Sequence, residues 1–316
     1  MCQLKFGIQI EPQFGFTYDE IKRIALTADK SSFHSIWFSD HFFLDKNSID
    51  KNCFETWTIL TAIATQTERI RLGTLVTCQS YRYPSVLAKI VSCVDVISNG
   101  RVEFGIGAGW KEIEYEAYGI PFPRTSIRIK QLREAIIILK KMWTEDAPTF
   151  EGKYYRIKEA INVPKPVQKP HPPIWVGGTS NRLLRVTAEL ADGLNFAWTL
   201  SPEKYKERLE ILKEYCKEIN RNFNDIRKSI GLITVIAENE KSLWSKIKEL
   251  AKRKGISPND FLEQKKNLLI GIPDDIIKKL KEYCKLGIEL VILMFPYKYE
   301  IEMMRIVEEH IIPKFK

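Results

Sequence analysis

The chain has 316 residues, of which 44% are hydrophobic and 28% charged, with 16 glycines and 15 prolines. This composition excludes a disordered, collagen-like or linker-dominated chain, and the length is sufficient to bury a large core without disulfide or metal support. The net charge of +9 comes from 49 basic and 40 acidic residues that are interleaved without a run of five like charges, so no dedicated nucleic-acid surface is indicated.

Short apolar segments alternate with longer amphipathic segments along the chain. The segment 4–10 predicts a strand, and 17–33 predicts a helix that begins with a capping box of Thr17 and Glu20. The same alternation predicts strands at 35–39, 70–76, 101–107, 173–178, 192–198, 229–237 and 288–296, and helices at 54–67, 84–98, 125–143, 180–190, 202–220, 239–254, 258–267, 271–287 and 299–311.

Eight predicted strands alternating with helices favour a closed (β/α)8 TIM barrel, because nearly continuous apolar strands are typical of a parallel sheet covered on both faces. An open, doubly wound sheet is the alternative. No linker divides the chain, so we predict one domain over residues 1–316. The segments 144–171 and 255–271 break the alternation and are predicted to be loop insertions, which we expect at the C-terminal face of the barrel.

The active site of such a barrel lies at the carboxyl ends of its strands. Asp40 and His41 directly follow the second predicted strand. An imidazole in this place titrates near neutral pH and can exchange a proton with a bound ring. The alternative is a histidine that Asp40 holds in a purely structural hydrogen bond, and the sequence leaves both interpretations open.

Two glycine-rich segments also follow strands. Gly177, Gly178 and Thr179 open a helix, and backbone N–H groups at a helix N-terminus favour a phosphate, although an ordinary tight turn is the alternative. The segment 105–110, GIGAGW, is a weak match to a dinucleotide fingerprint and predicts close approach of the backbone to a flat ligand. Aromatic residues near the strand ends predict an apolar wall for a planar cofactor: Phe14, Phe16, Trp37, Phe42, Trp110, Trp198 and Phe295.

Other classes of site lack a motif. The six cysteines have no metal-binding spacing among themselves or with histidines, so no metal site is predicted. The N-terminus does not read as a signal peptide, and no apolar run is long enough to span a bilayer. We therefore expect a cytoplasmic protein without a membrane or nucleic-acid partner.

Five segments together resemble a known family: 39–42 (SDHF), 72–89, 100–123, 170–195 and 271–296. They resemble the luciferase-like monooxygenase superfamily of FMN- or coenzyme F420-dependent oxidoreductases, and are most similar to its deazaflavin-dependent branch. The resemblance implies a (β/α)8 barrel with the cofactor's tricyclic ring across the C-terminal mouth.

The resemblance also implies roles for individual residues. Asp40 and His41 would lie near the ring, with His41 as the proton donor or acceptor. The cofactor would contact Leu75 and Val76, joined by a non-proline cis peptide bond, as well as Ala108, Gly109, Trp110 and the phosphate loop Gly177, Gly178 and Thr179. Sugar-phosphate dehydrogenases of the family carry a carboxylate where Trp110 stands, which argues against a sugar-phosphate substrate.

The activity that the resemblance implies is hydride transfer between coenzyme F420 or FMN and a small organic substrate, in a homodimer. The first alternative is a monooxygenase that uses reduced FMN, which a partner reductase supplies. The second alternative is a barrel that binds a ligand without redox chemistry.

Overall fold

Eight parallel strands close into a barrel. The computed structural model describes residues 3–198, 200–264 and 268–316. The barrel strands are β1 (Lys5–Ile10), β2 (Ser35–Phe38), β3 (Arg71–Thr74), β4 (Val102–Gly107), β5 (Ile174–Gly177), β6 (Gly193–Trp198), β7 (Arg227–Ile236) and β8 (Leu290–Met294). Each strand pairs with the next and β8 also pairs with β1. The predicted barrel is therefore confirmed, and the open-sheet alternative is wrong.

Helices cover the outside of the barrel. They are α1 (Tyr18–Lys30), α2 (Thr56–Ala64), α3 (Pro84–Ile97), α4 (Glu112–Ala117), α5 (Thr125–Thr144), α6 (Asn181–Leu190), α7 (Pro202–Glu218), α8 (Glu240–Arg253), α9 (Pro258–Gln264), α10 (Pro273–Cys284) and α11 (Glu300–Ile306). The predicted helix 258–267 corresponds to α9, and its residues 265–267 lie outside the described residues. Helix α4 and a short strand, Leu269–Gly271, were not predicted, because each is too short to show a hydrophobic period.

The start of α1 follows its sequence signal. The Thr17 hydroxyl accepts a hydrogen bond from the Glu20 N–H at 3.2 Å, and the Thr17 N–H donates to the Glu20 carboxylate at 2.8 Å. These two bonds satisfy donors that a helix start otherwise leaves open. The predicted capping box is confirmed.

Large side chains fill the barrel interior and close its N-terminal end. The indole rings of Trp37 and Trp175 meet edge to face, with their centroids 6.1 Å apart. Trp175 Nε1 donates to the buried Glu103 carboxylate at 2.6 Å, and Glu103 also pairs with Arg71 and Arg227. Because these charged residues lie at the beginnings of β3, β4 and β7, the barrel is closed at this end.

The third strand is interrupted where the sequence predicted continuous strand over 70–76. β3 ends at Thr74, the Leu75–Val76 peptide bond is cis, and Thr77–Cys78 then pairs with β4. The Thr74 hydroxyl spans the gap: it donates to the Gly105 carbonyl at 2.7 Å and accepts from the Gly105 N–H at 3.1 Å. A Cβ at position 105 would lie 1.9 Å from the Thr74 carbonyl oxygen, so this close approach requires glycine.

The connection between α5 and β5 contains a β-hairpin, which lies in the predicted insertion 144–171. Phe150–Glu151 pairs antiparallel with Arg156–Ile157. The Tyr155 hydroxyl donates to the Gln79 side-chain carbonyl at 3.0 Å. The hairpin therefore lies beside the C-terminal end of the third strand.

Glu300 is a buried carboxyl group at the start of α11, 4% exposed. Burial raises the pKa of Glu300 to about 7, from an ordinary value of 4.5, and the Glu20 charge adds to the effect. Because the folded protein holds this proton more tightly, its stabilising contribution is complete below about pH 4.5 and is lost as the pH rises to about 7. We expect Glu300 to lower the free energy of unfolding by roughly 2–3 kcal/mol across that window.

Urea unfolding at pH 5 and pH 7.5 measures this effect. The Glu300→Gln variant keeps the shape of the side chain without its charge, so its free energy of unfolding should fall less between the two pH values than that of the native chain. An equal fall in both proteins would contradict the expectation.

Candidate active site

A cavity of about 440 Å³ opens at the carboxyl ends of the barrel strands. Its volume lies in the range of small-molecule sites, about 300–1,000 Å³. The sequence-predicted site residues that line it are Asp40, His41, Leu75, Val76, Gly109, Trp110, Gly177 and Gly178. Ala108 is buried, and neither it nor Thr179 is among the lining residues.

His41 is held by a glutamate that sequence reasoning could not place. Its Nδ1 lies 2.8 Å from Oε2 of Glu114 on α4. The Glu114 side chain is fully buried, whereas that of His41 is 14% exposed and lines the cavity. The hydrogen bond expected between His41 and a neighbouring carboxylate therefore exists, but with Glu114 in place of Asp40.

The Asp40 carboxylate is engaged elsewhere. Arg82 donates to both of its oxygens, with Nη1 2.7 Å from Oδ2 and Nη2 3.0 Å from Oδ1. The Cys78 N–H donates to Oδ2 at 2.9 Å. Asp40 thus ties the loop after β2 to the residues that follow the interrupted third strand.

Glu11 is a second carboxyl group in the cavity. Side-chain amides of Gln9 and Gln13 donate to its two oxygens, and the Ser39 hydroxyl donates to the Gln13 carbonyl at 3.0 Å. Burial raises the pKa of the Glu11 carboxyl, although the Gln9 hydrogen bond and the charge at His41 act in the opposite direction. Such a group takes up a proton more readily than an exposed carboxylate does.

One wall of the cavity fits a flat ring system. The side chain of Val76 packs between two glycines: a Cβ at Gly107 would lie 2.7 Å from its Cγ2, and a Cβ at Gly177 would lie 2.8 Å from its Cγ1. Larger residues at either glycine would displace Val76. Together with Leu75, which precedes the cis bond, Val76 presents an apolar surface to the cavity.

The loop before α6 is suited to an anion. Gly178 has a φ of +121°, which side chains rarely adopt, and its N–H donates to the Asn195 carbonyl at 3.2 Å. The Ser180 hydroxyl caps Leu183 N–H at the start of α6. The remaining first-turn N–H groups of α6 are the donors available to a phosphate.

Only part of the predicted aromatic wall faces the cavity. Trp110 and Trp198 line it, and Trp110 is 72% exposed. Trp37 is buried inside the barrel, Phe16 packs edge to face on Tyr297 with centroids 4.6 Å apart, and Phe42 stacks on Tyr81 and Tyr118. The prediction is wrong for these three residues and for Phe14 and Phe295, none of which lines the cavity, because an apolar strand or loop residue can equally face the core.

Comparison with known proteins identifies the family. A family model described as luciferase-like monooxygenase matches residues 4–290. The chain belongs to the luciferase-like monooxygenase family. It is 25% identical to an F420-dependent glucose-6-phosphate dehydrogenase from Microbacterium testaceum, over 99% of this chain and 98% of that protein. The resemblance inferred from the sequence is confirmed.

Solved structures with similar folds include two whose names mention F420. The coenzyme F420-dependent tetrahydromethanopterin reductase from Methanopyrus kandleri has a TM-score of 0.80 at 21% identity, covering 99% of this chain and 100% of that one. An F420-dependent secondary alcohol dehydrogenase, in complex with an F420–acetone adduct, has a TM-score of 0.82 at 18% identity, covering 99% of both chains. These likenesses establish the fold.

Sequence reasoning missed the polar surroundings of His41 in this luciferase-like barrel. Glu114, Tyr81 and Lys111 form this cluster, and Glu114 accepts hydrogen bonds from both other members. The helix that carries Glu114 has six residues and no side-chain cap at its start, so no helix signal marks it. The available signal was a carboxylate between Ile113 and Tyr115, shortly after a strand end.

The described ranges 3–198, 200–264 and 268–316 contain neither a metal-ligand cluster nor a membrane-spanning helix. No three His, Cys, Asp or Glu side chains in these ranges come together as a metal site would need. Their helices include none with the length and apolar character of a membrane span.

Proposed function

We propose that the protein is an oxidoreductase that binds coenzyme F420 in the cavity and transfers a hydride to or from a small organic substrate. The observation that carries the proposal is His41, held by Glu114 and lining a cavity at the mouth of a luciferase-like barrel. The F420-dependent activity in the names of the relative and of the two similar structures supports it.

The residues of the cavity divide between holding the cofactor and moving a proton. Leu75 and Val76 would support the ring, and the loop at Gly177 and Gly178 would hold the phosphate. A bound deazaflavin supplies the hydride chemistry. Neutral His41 accepts the hydroxyl proton when a substrate alcohol is oxidised, and the imidazolium returns it in the reverse direction. Asp40 is a positioning residue: by pairing with Arg82 it holds the loop after β2, which carries His41, in place.

The substrate that we propose is uncharged, such as a small alcohol or ketone, in place of a sugar phosphate. Trp110 places an indole at the rim of the cavity. In the part of the chain that the structure describes, the cationic side chain lining the cavity is Lys111, and its ammonium group already donates to the Phe43 carbonyl and to Glu114. A substrate phosphate would have to compete for it.

Titration of the full chain with F420 and with FMN tests the cofactor. We expect F420 to bind, with fluorescence as the readout, and to be reduced when a small alcohol is added under anaerobic conditions. Glucose 6-phosphate serves as the comparison substrate. Oxygen consumption with reduced FMN would favour the monooxygenase alternative, and binding of neither cofactor would favour the non-redox barrel.

We also propose a homodimer that forms through the outer face of α3. Val86, Ile90, Cys93 and Ile97 follow one another at helical spacing on this face, with Val86 55% and Ile97 48% exposed. Two copies with a net charge of +9 repel each other, and an uncharged apolar stripe is where they can approach. Analytical ultracentrifugation should give the mass of a dimer for the native chain and the mass of a monomer for the Val86→Glu variant. A native monomer would contradict the proposal.

A further inference from the structure

The Glu114 carboxylate has five hydrogen-bond partners although it is fully buried. Its Oε1 accepts from the N–H groups of Phe42 and Phe43, at 2.8 and 3.2 Å, and from Lys111 Nζ at 3.2 Å. Its Oε2 faces His41 Nδ1 at 2.8 Å and accepts from the Tyr81 hydroxyl at 2.7 Å. A carboxylate that is buried away from solvent needs such hydrogen-bond donors to remain charged.

The surroundings keep this group ionised. Burial by itself would raise the pKa of the Glu114 carboxyl, but the hydrogen bond and charge of His41, the Tyr81 hydroxyl and the Phe42 N–H outweigh burial and lower the pKa to about 2. Burial and the neighbouring groups raise the pKa of the Tyr81 hydroxyl well above its ordinary value, so Tyr81 remains a donor. The three donors on Oε1 and the Tyr81 hydroxyl remain in place whether or not His41 is charged, so Oε2 is an acceptor towards neutral His41 as well.

An ionised Oε2 determines which nitrogen of His41 carries the proton. The ring nitrogen opposite a carboxylate must be the N–H donor, so neutral His41 holds its proton on Nδ1. Nε2 is then unprotonated and is the ring nitrogen open to a ligand. In this tautomer, and not in the other, His41 is able to take a proton from a bound hydroxyl group.

We propose that Glu114 is a positioning residue that fixes the Nδ1–H tautomer of His41 and so makes Nε2 the proton acceptor of the reaction. The inference rests on the proposed function for its kinetic consequence, but the tautomer itself can be measured on the protein without cofactor. Glu114 lies behind His41 and is not among the residues that line the cavity, so it acts on the reaction through His41.

The substitution Glu114→Gln offers a specific test because the donors predict how the amide will lie. Three donors surround the Oε1 position, so the glutamine carbonyl oxygen should occupy it. The amide NH₂ then takes the Oε2 position and donates to His41 Nδ1. This reverses the tautomer, places the proton on Nε2 and removes the acceptor, with almost no change in side-chain shape.

The experiment combines ¹⁵N NMR of histidine-labelled full-length chain with kinetics. His41 is assigned by the signal that disappears in His41→Asn. We expect Nε2 to be the unprotonated nitrogen of neutral His41 in the native chain, and Nδ1 in Glu114→Gln. Turnover with F420 should fall by about 10²- to 10⁴-fold in Glu114→Gln, the scale of a wrong histidine tautomer or a lost general base, while F420 binding is retained.

Glu116→Gln is the matched control, because Glu116 is exposed on the same helix and undergoes the same chemical change. It should keep both the native tautomer and native turnover. A native His41 protonated on Nε2 would overturn the inference even if Glu114→Gln failed to fold, and so would an unchanged tautomer or unchanged turnover in folded Glu114→Gln. Failure of the native chain to turn over F420 would contradict the proposed function, and the tautomer would still decide the role of Glu114.

Discussion

The substitution His41→Asn is expected to lower turnover by about 10²- to 10⁴-fold, the usual contribution of a general acid or base. The asparagine amide can take the place of Nδ1–H and donate to Oε2 of Glu114, which keeps the buried carboxylate partnered. Nothing replaces Nε2, so the proton acceptor is lost while the fold is retained. Steady-state reduction of F420, normalised to folded protein, measures the effect.

Two comparisons separate this chemical role from a structural one. His310 is exposed near the C-terminal end of the chain, and His310→Asn should leave turnover unchanged. His41→Ala should recover part of its activity when imidazole is added, because the small base can enter the vacated space. A His41→Asn protein that loses stability but keeps its turnover per folded molecule would show that His41 is structural.

Gly178→Val is expected to weaken F420 binding by about 10- to 100-fold, which corresponds to the loss of one or two hydrogen bonds to a charged group. Valine disfavours the φ of +121°, and its Cβ would lie 2.5 Å from Leu183 Cδ1. The strand-to-helix loop must shift, and with it the first-turn N–H groups of α6. The deazaflavin without its phosphate tail should lose much less affinity if, as proposed, these donors bind the anion and not the ring.

Gly119→Val is the matched control for Gly178→Val. Gly119 also has a positive φ, +66°, but a Cβ there would have no neighbour within 4 Å, and Gly119 does not line the cavity. It reproduces the backbone strain without the effect on the loop. Equal loss of affinity for both ligands in Gly178→Val would mean that the phosphate is held elsewhere.

The regular part of the fold could be predicted because it depends on local patterns. Most barrel strands are nearly continuous apolar runs, and several helices carry a cap that the sequence shows, as Thr17 and Glu20 do for α1. The interruption after Thr74 has no such mark in the strand itself, since Leu75 and Val76 continue the apolar run and their cis bond entered only through the family resemblance.

The site could be predicted only where it coincides with strand ends. His41 was found in this way, but its partner Glu114 lies 73 positions further along the chain on a six-residue helix. Pairings of this kind depend on how the barrel closes, which no local pattern records. The prediction of an aromatic cavity wall was wrong in part for a related reason: in a strand that is apolar on both faces, the sequence does not show towards which face the Trp37 side chain points.

The closed N-terminal end of the barrel has a consequence for the order of events in a catalytic cycle. Glu103, with Arg71 and Arg227, closes this end beneath the tryptophans that fill the interior. Within the described part of the chain, cofactor and substrate must therefore enter and leave through the same opening, at the carboxyl ends of the strands. The ligand that lies deeper in the cavity must bind first and dissociate last, so the kinetics should show a compulsory order of binding. An excess of the outer ligand should slow the release of the inner one.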